Sequence, residues 1–131
     1  MLGCILDFYG VVLDPKTQLP MAGIHEFLAE LDKRAILCAI ASSSDSTMIH
    51  DFLIDSGLAE FIHVIVGCDK VSAIKPNPEC YVQAATLLQL KPEDCLVIDD
   101  TAEPLANAKQ LGFNTVLFGD KIHTFAELLP D

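Results

Sequence analysis

Gly3-Cys4-Ile5-Leu6-Asp7-Phe8-Tyr9-Gly10-Val11-Val12 is an apolar run that ends in an aspartate and is followed by a glycine turn. A short apolar run bounded by a turn signal reads as a strand buried on both faces. A carboxylate closing such a strand is costly to desolvate, and the carboxyl ends of strands are where open α/β sheets bind ligands. Asp7 is therefore a candidate nucleophile or metal ligand. Two residues on, where a second acid would be expected, stands Tyr9.

Four further apolar runs of strand length follow: Ile36-Ala41, Phe61-Val66, Cys95-Ile98 and Thr115-Phe118. Between them apolar residues repeat at helical spacing: Ile24, Phe27, Leu28 and Leu31; Met48, Ile49, Phe52 and Leu53; Tyr81, Ala84, Ala85 and Leu88; Leu105, Ala108 and Leu111. Asp45 or Ser46 suits a helix cap, Pro78 and Pro104 suit first helical turns, and Gly57 and Gly112 suit helix ends. Strands alternating with helices predict a parallel sheet covered on both faces, with right-handed crossovers and a site at the strands' carboxyl ends. The groups expected there are Asp7 and Tyr9, then Ser42, Ser43 and Ser44, then Lys75 before Pro76-Asn77-Pro78, then Asp99 and Asp100. Taken singly, a serine run or an Asp-Asp pair is more often a helix cap, and a lysine before proline is more often a solvated loop residue. In this order, at successive strand ends, chance is the poorer explanation.

The 131 residues make one domain's worth of chain, residues 1–131, with about half of them apolar. Eight basic against 19 acidic residues, a formal charge of −11, disfavour nucleic acid as a partner, because phosphate-backbone contact needs clustered Lys and Arg. No signal-like N-terminus and no apolar run near the roughly 20 residues of a membrane span is present, so the expectation is a soluble, cytoplasmic protein. Cys4, Cys38, Cys68, Cys80 and Cys95 form no C-x-x-C pair and read as reduced, mostly core residues. With His25, His50, His63 and His123 isolated from one another, a zinc site is disfavoured. His25 and His63 remain minor candidates for the site, and Asp14 a minor candidate in the segment covering it.

Asp7-Phe8-Tyr9-Gly10-Val11-Val12, the serine after Ile40-Ala41, Lys75-Pro76-Asn77-Pro78 and Val97-Ile98-Asp99-Asp100 resemble, in order, the four motifs of the haloacid dehalogenase (HAD) superfamily. The resemblance runs over nearly the whole chain. It implies a Rossmann-like three-layer α/β/α sandwich around a five-stranded parallel sheet of order 5-4-1-2-3. It also implies a hydrolase, most often a magnesium-dependent phosphatase or phosphotransferase. Carried over, Asp7 would be the nucleophile forming an aspartyl intermediate, and Ser42, with Ser43 beside it, would bind the phosphoryl group. Lys75 would offset the charge of Asp7 and phosphate. Mg2+ would be held by Asp7, the backbone carbonyl of Tyr9, Asp100 and Asp99. Such chemistry is physically coherent, because a carboxylate approaches a phosphate dianion only when a cation and N–H groups neutralise it.

Two departures qualify the resemblance. Phosphatases of this family usually carry a second aspartate where Tyr9 stands; it protonates the leaving group and then activates water. A positioned acid or base is worth about 10²–10⁴ in rate, and a phenol is a poor base at neutral pH, so hydrolysis of an intermediate should be the weakened step. Pro104 occupies a place where relatives often have Asn or Asp beside the metal, and it offers no side-chain oxygen.

Asp-x-Tyr-Gly also resembles the 2-haloacid dehalogenases of the same superfamily, which attack a carbon–halogen bond without a metal. Those enzymes close their site with a helical cap. Here only about twenty residues separate Asp14 from Ile36, room for a flap over Val11–Pro20, turning at Asp14-Pro15, and one helix from about Met21 to Lys33. A core without a cap is thus expected, and capless relatives tend to act on large substrates or to be covered by a neighbouring subunit. Three readings follow: a slow phosphatase or phosphotransferase acting on a phosphorylated small molecule or phosphoprotein, a phosphate-binding regulatory module that has lost turnover, and a dehalogenase. Oligomeric state is not legible.

Overall fold

The computed structural model describes residues 1–119 and 124–129, so that His123 lies outside the described residues. In chain order the elements are β1 (Gly3–Leu6), β2 (Leu13–Asp14), β3 (Leu19–Pro20), α1 (Ile24–Lys33), β4 (Leu37–Ala41), α2 (Ser46–Asp55), β5 (Val64–Val66), α3 (Glu79–Leu87), β6 (Cys95–Asp99), α4 (Ala102–Gln110) and β7 (Asn114–Leu117). Five strands form one parallel sheet in the order β5-β4-β1-β6-β7. The strands of the flap, β2 and β3, shift the labels: counted by themselves, the five parallel strands run 5-4-1-2-3 from the β7 edge.

Alternation along each strand builds the two outer layers. Leu6, Cys38, Ile40 and Ile98 turn to one face, where they pack on Ile24, Phe27, Leu28 and Leu31 of α1 and on Ile49 and Leu53 of α2. Ile5, Ala39, Ala41 and Val97 turn to the other, against Tyr81, Ala84 and Ala85 of α3 and Leu105 and Ala108 of α4. This is the three-layer α/β/α, Rossmann-like arrangement, and burial on both faces explains why the strands read as unbroken apolar runs.

Several boundaries move. β1 stops at Leu6 rather than Phe8, because Phe8 turns away from the neighbouring strands and its carbonyl accepts from the N–H groups of Val11, Val12 and Leu13. The first helix begins at Ile24 rather than Met21, since Gly23 enters the left-handed region at φ 83°. Phe61 belongs to a short 3-10 turn, which delays β5 to Val64. Asp45 is the cap of α2, its carboxylate accepting from Thr47 N–H at 3.0 Å. Between Leu6 and Ile24 the chain builds only the β2–β3 hairpin. No helix among the described residues is long and apolar enough to cross a membrane.

Candidate active site

Register brings the strand ends level. Leu6 pairs with Ile40 on one side and Ile98 on the other, and Asp7 N–H donates to the Ile98 carbonyl at 2.8 Å. Asp7 therefore emerges between Ser42 and Asp99 at the centre of the sheet's carboxyl edge. Both acids are almost wholly buried, Asp7 8% exposed and Asp99 1%, whereas Asp100 is exposed.

Lys75 supplies the countercharge. Its Nζ donates to Asp7 Oδ1 at 2.8 Å and to Asp99 Oδ2 at 2.7 Å. The loop that delivers it is braced from three sides. Glu79 accepts from the N–H groups of Ser72 and Ala73, Asn77 Oδ1 accepts from Glu79 N–H, and Asn107 of α4 donates to the Pro76 carbonyl at 2.8 Å. Tyr81, one turn into α3, donates its hydroxyl to Asp99 Oδ2, and Lys75 Nζ lies 5.1 Å from its ring centroid. Asp99 Oδ1 accepts from Thr101 N–H at 3.0 Å. Asp99 is thus committed to holding Lys75 and the start of the α4 turn.

Burial dominates the ionisation here. Desolvation pushes Asp7 up to about 7, and the neighbouring Asp99 and Asp100 add to the rise, while Lys75 opposes it. Burial alone would lower the Lys75 ammonium, but the charges and hydrogen bonds of Asp7 and Asp99 outweigh it and leave its pKa above the ordinary value. The Tyr81 phenol, buried beside Asp99, is pushed far up, so it remains the donor in that contact.

One oxygen from each of Asp7, Asp99 and Asp100 lies within 4.8 Å of the others. Gly10 makes room for this cluster: at φ 89°, a Cβ on it would sit 2.1 Å from Asp100 Oδ2. Hard carboxylate oxygens, one of them cradled against a glycine, fit a small divalent cation such as magnesium. Pro104 offers no side-chain oxygen to this cluster, whereas the Thr101 hydroxyl contacts Asp100 Oδ1 at 3.3 Å. Gly10→Ala should accordingly weaken divalent-cation binding at least 10-fold, by displacing Asp100 and straining the turn. Titration calorimetry with Mg2+ checks this; unchanged affinity would place the ion elsewhere.

Asp7, Tyr9, Ser42, Ser43, Ser44, Lys75, Asp99, Asp100 and Pro104 all line one cleft of about 350 Å³. The principal candidates from the sequence, Asp7, Tyr9, Ser42, Ser43, Lys75, Asp99 and Asp100, meet there. Ser42 is buried, and its Oγ accepts from Ser44 N–H at 3.0 Å, which leaves the hydroxyl proton to donate; Ser43 is exposed at the rim. The histidines do not join. His25 stacks edge-on against Phe61, and His63 Nδ1 sits 3.1 Å from Cys38 N–H near the opposite end of the sheet. Asp14 is spent on the flap turn, accepting from Lys16 N–H, and faces a second opening of about 660 Å³ on the far side of Asp100.

Tyr81, Thr101, Gly10 and Gln18 were not expected. Gln18, in the flap, donates from Nε2 to the Tyr9 hydroxyl oxygen at 3.0 Å. Of these, Tyr81 had a usable signal, since a buried tyrosine seeks a partner for its hydroxyl.

Known proteins resemble this chain in sequence and in fold. YhcW of Bacillus subtilis is 32% identical over 100 residues, 76% of this chain and 46% of that protein. The pyrophosphatase PpaX of Halalkalibacterium halodurans is 30% identical over the same length and shares. The chain thus spans about half the length of the curated relatives it matches. A HAD-superfamily hydrolase from Ehrlichia chaffeensis superposes with a TM-score of 0.86 at 17% identity, covering 97% of this chain and 93% of that one. Residues 5–118 match the family model described as haloacid dehalogenase-like hydrolase, and the chain belongs to that family.

Proposed function

We propose that the protein is a slow, magnesium-dependent phosphatase or phosphotransferase that works through an aspartyl-phosphate at Asp7. The observation carrying this reading is the placement of a buried carboxylate between Lys75, Ser42 and the Asp99–Asp100 pair in one open cleft. Mg2+ would be held by Asp7, Asp100 and the Tyr9 carbonyl with Asp99 behind them, and would supply charge neutralisation at the phosphate oxygens.

The chain's own residues account for the rest. Lys75 draws electron density from neither carboxylate alone, because it bridges Asp7 and Asp99; it fixes Asp7 for in-line attack and adds a positive charge beside the incoming phosphate. Ser42, its oxygen occupied by Ser44 N–H, donates its proton to a phosphoryl oxygen, and Ser43 serves the rim. Attack forms the Asp7–phosphorus bond as the bridging oxygen departs with its electron pair. Hydrolysis then needs a base for water, and Tyr9 is a phenol on a 46% exposed side chain. The intermediate should accumulate.

A phosphorylated small molecule suits a cleft of this size, with a phosphoprotein as the other candidate, and the acidic surface disfavours nucleic acid. Lys75 and the paired acids argue for phosphate over a haloacid, and no second domain covers the cleft among the described residues to desolvate so small a substrate. Tyr9 favours one second reading, a phosphate-binding module without turnover.

The deciding experiment follows hydrolysis of an activated aryl phosphate with and without Mg2+, with acid-quenched protein mapped by mass spectrometry. A metal-dependent phosphate on Asp7 is expected, with a burst and slow steady state. Tyr9→Asp should raise the steady-state rate by about 10²-fold by restoring a base. Phosphate bound without any modification of Asp7 would favour the binding module.

A further inference from the structure

Gln18 reaches the cleft only through Tyr9. Its side chain lies outside the cleft lining, yet its Nε2 makes two contacts at 3.0 Å, one to the Tyr9 hydroxyl and one to the Pro15 carbonyl. A carbonyl oxygen accepts and never donates, so the Pro15 contact fixes which end of the Gln18 amide faces inward: it is the NH2. The Tyr9 oxygen is then an acceptor from Gln18, and its single proton must point to another partner. Tyr9 and Asp7 both line the cleft.

The flap invests strain in this arrangement. Gln18 holds a left-handed backbone, φ 62°, which costs a residue with a Cβ something on the order of 1 kcal/mol, and its N–H is tied to the Asp14 carbonyl at 2.8 Å. Asp14 in turn accepts from Lys16 N–H, closing the turn on itself. A turn so pinned presents the amide at a fixed position and angle.

We propose that Gln18 is a positioning residue: it orients the Tyr9 hydroxyl so that its O–H donates a hydrogen bond to the oxygen that leaves phosphorus. The proposal rests on the phosphotransfer reading above. In the step concerned, Asp7 Oδ forms the new bond to phosphorus and the bridging oxygen departs with its electron pair. The Tyr9 O–H stabilises that developing oxyanion, which takes its proton from solvent at the open mouth. Tyr9 would therefore assist capture of phosphate while leaving hydrolysis unaided, and the flap would set which leaving groups are accepted.

The test compares burst rates for phenyl phosphate and dinitrophenyl phosphate, with Asp7 modification followed by mass spectrometry, in the wild type, Tyr9→Phe, Gln18→Glu and Gln18→Asn. Dinitrophenolate needs no help to leave; phenolate does. The phenyl-to-dinitrophenyl rate ratio should fall by roughly 10²-fold in Tyr9→Phe. Gln18→Glu should reproduce that fall, since a carboxylate can only accept and would draw the Tyr9 proton to itself. Gln18→Asn tolerates the left-handed backbone but is one methylene short, so it too should lower the ratio, while its thermal midpoint stays near the wild type's. A purely structural Gln18 would scale both substrates together and leave the ratio fixed, which overturns the proposal. Absence of any phosphate on Asp7 in the wild type would overturn the phosphotransfer reading and this inference with it.

Discussion

Lys75→Met should destabilise the protein by about 3–5 kcal/mol at pH 8, the usual cost of removing one partner from a buried ion pair. Two carboxylates, at 11% and 1% side-chain exposure, would be left facing each other without their shared cation. The Tyr81 hydroxyl and Thr101 N–H would still serve Asp99, but Asp7 would keep no cationic partner among the described residues. The loss should shrink as the pH is lowered, because Asp7 already titrates near 7 with Lys75 in place and would hold a proton more tightly without it. Urea unfolding at pH 8 and pH 5 measures both limbs. A small, pH-independent effect would mean that solvent reaches the pair far more freely than its burial indicates. Phosphorylation of Asp7 should be lost in the same variant at either pH, since the methionine fills the lysine's space without its charge.

The parts of this site that were legible in the sequence share one property: they follow directly from strand ends. Asp7, Ser42, Asp99 and Asp100 each stand within two residues of a strand's last residue, and a parallel sheet places all such positions along one edge. Lys75 was harder, lying nine residues after β5, and its placement depends on contacts from Glu79 and Asn107 that no spacing rule predicts. Tyr81 was hidden by its other role. Its helical spacing with Ala84, Ala85 and Leu88 marks it as core, which it is, while its hydroxyl reaches Asp99 from within that core. Gln18 was invisible for a different reason, because its relation to Tyr9 exists only once the β2–β3 hairpin folds back over residues 9–20. Local pattern finds residues that secondary structure positions; it misses those positioned by loop closure.

Asp7→Asn should separate chemistry from stability, moving them in opposite directions. An amide is no nucleophile toward phosphorus, so covalent capture should disappear, a loss of at least about 10³-fold in any phosphatase activity. The fold should respond the other way. Asp7 has an ordinary carboxylate pKa near 3.8 when unfolded and about 7 in the folded protein, raised chiefly by burial. Between those values the folded state holds a proton that the unfolded state has released, so stability falls as pH rises through that window and the full penalty is present above it. Such a shift corresponds to about 4 kcal/mol. Asparagine carries no charge to desolvate, and its amide oxygen can still accept from Lys75, which keeps its ion pair with Asp99 at 2.7 Å. The variant should therefore match the wild type near pH 4 and exceed it near pH 8 in metal-free buffer. Mg2+ should narrow the gap at pH 8 by stabilising the wild type and not the variant, because the ion supplies the countercharge that burial denies Asp7. Thermal melts across pH, with chelator and with Mg2+, give all four arms. A variant less stable than the wild type at pH 8 would mean that attraction to Lys75 outweighs desolvation, and that Asp7 is held as a settled ion pair and not as a charge poised to accept phosphate.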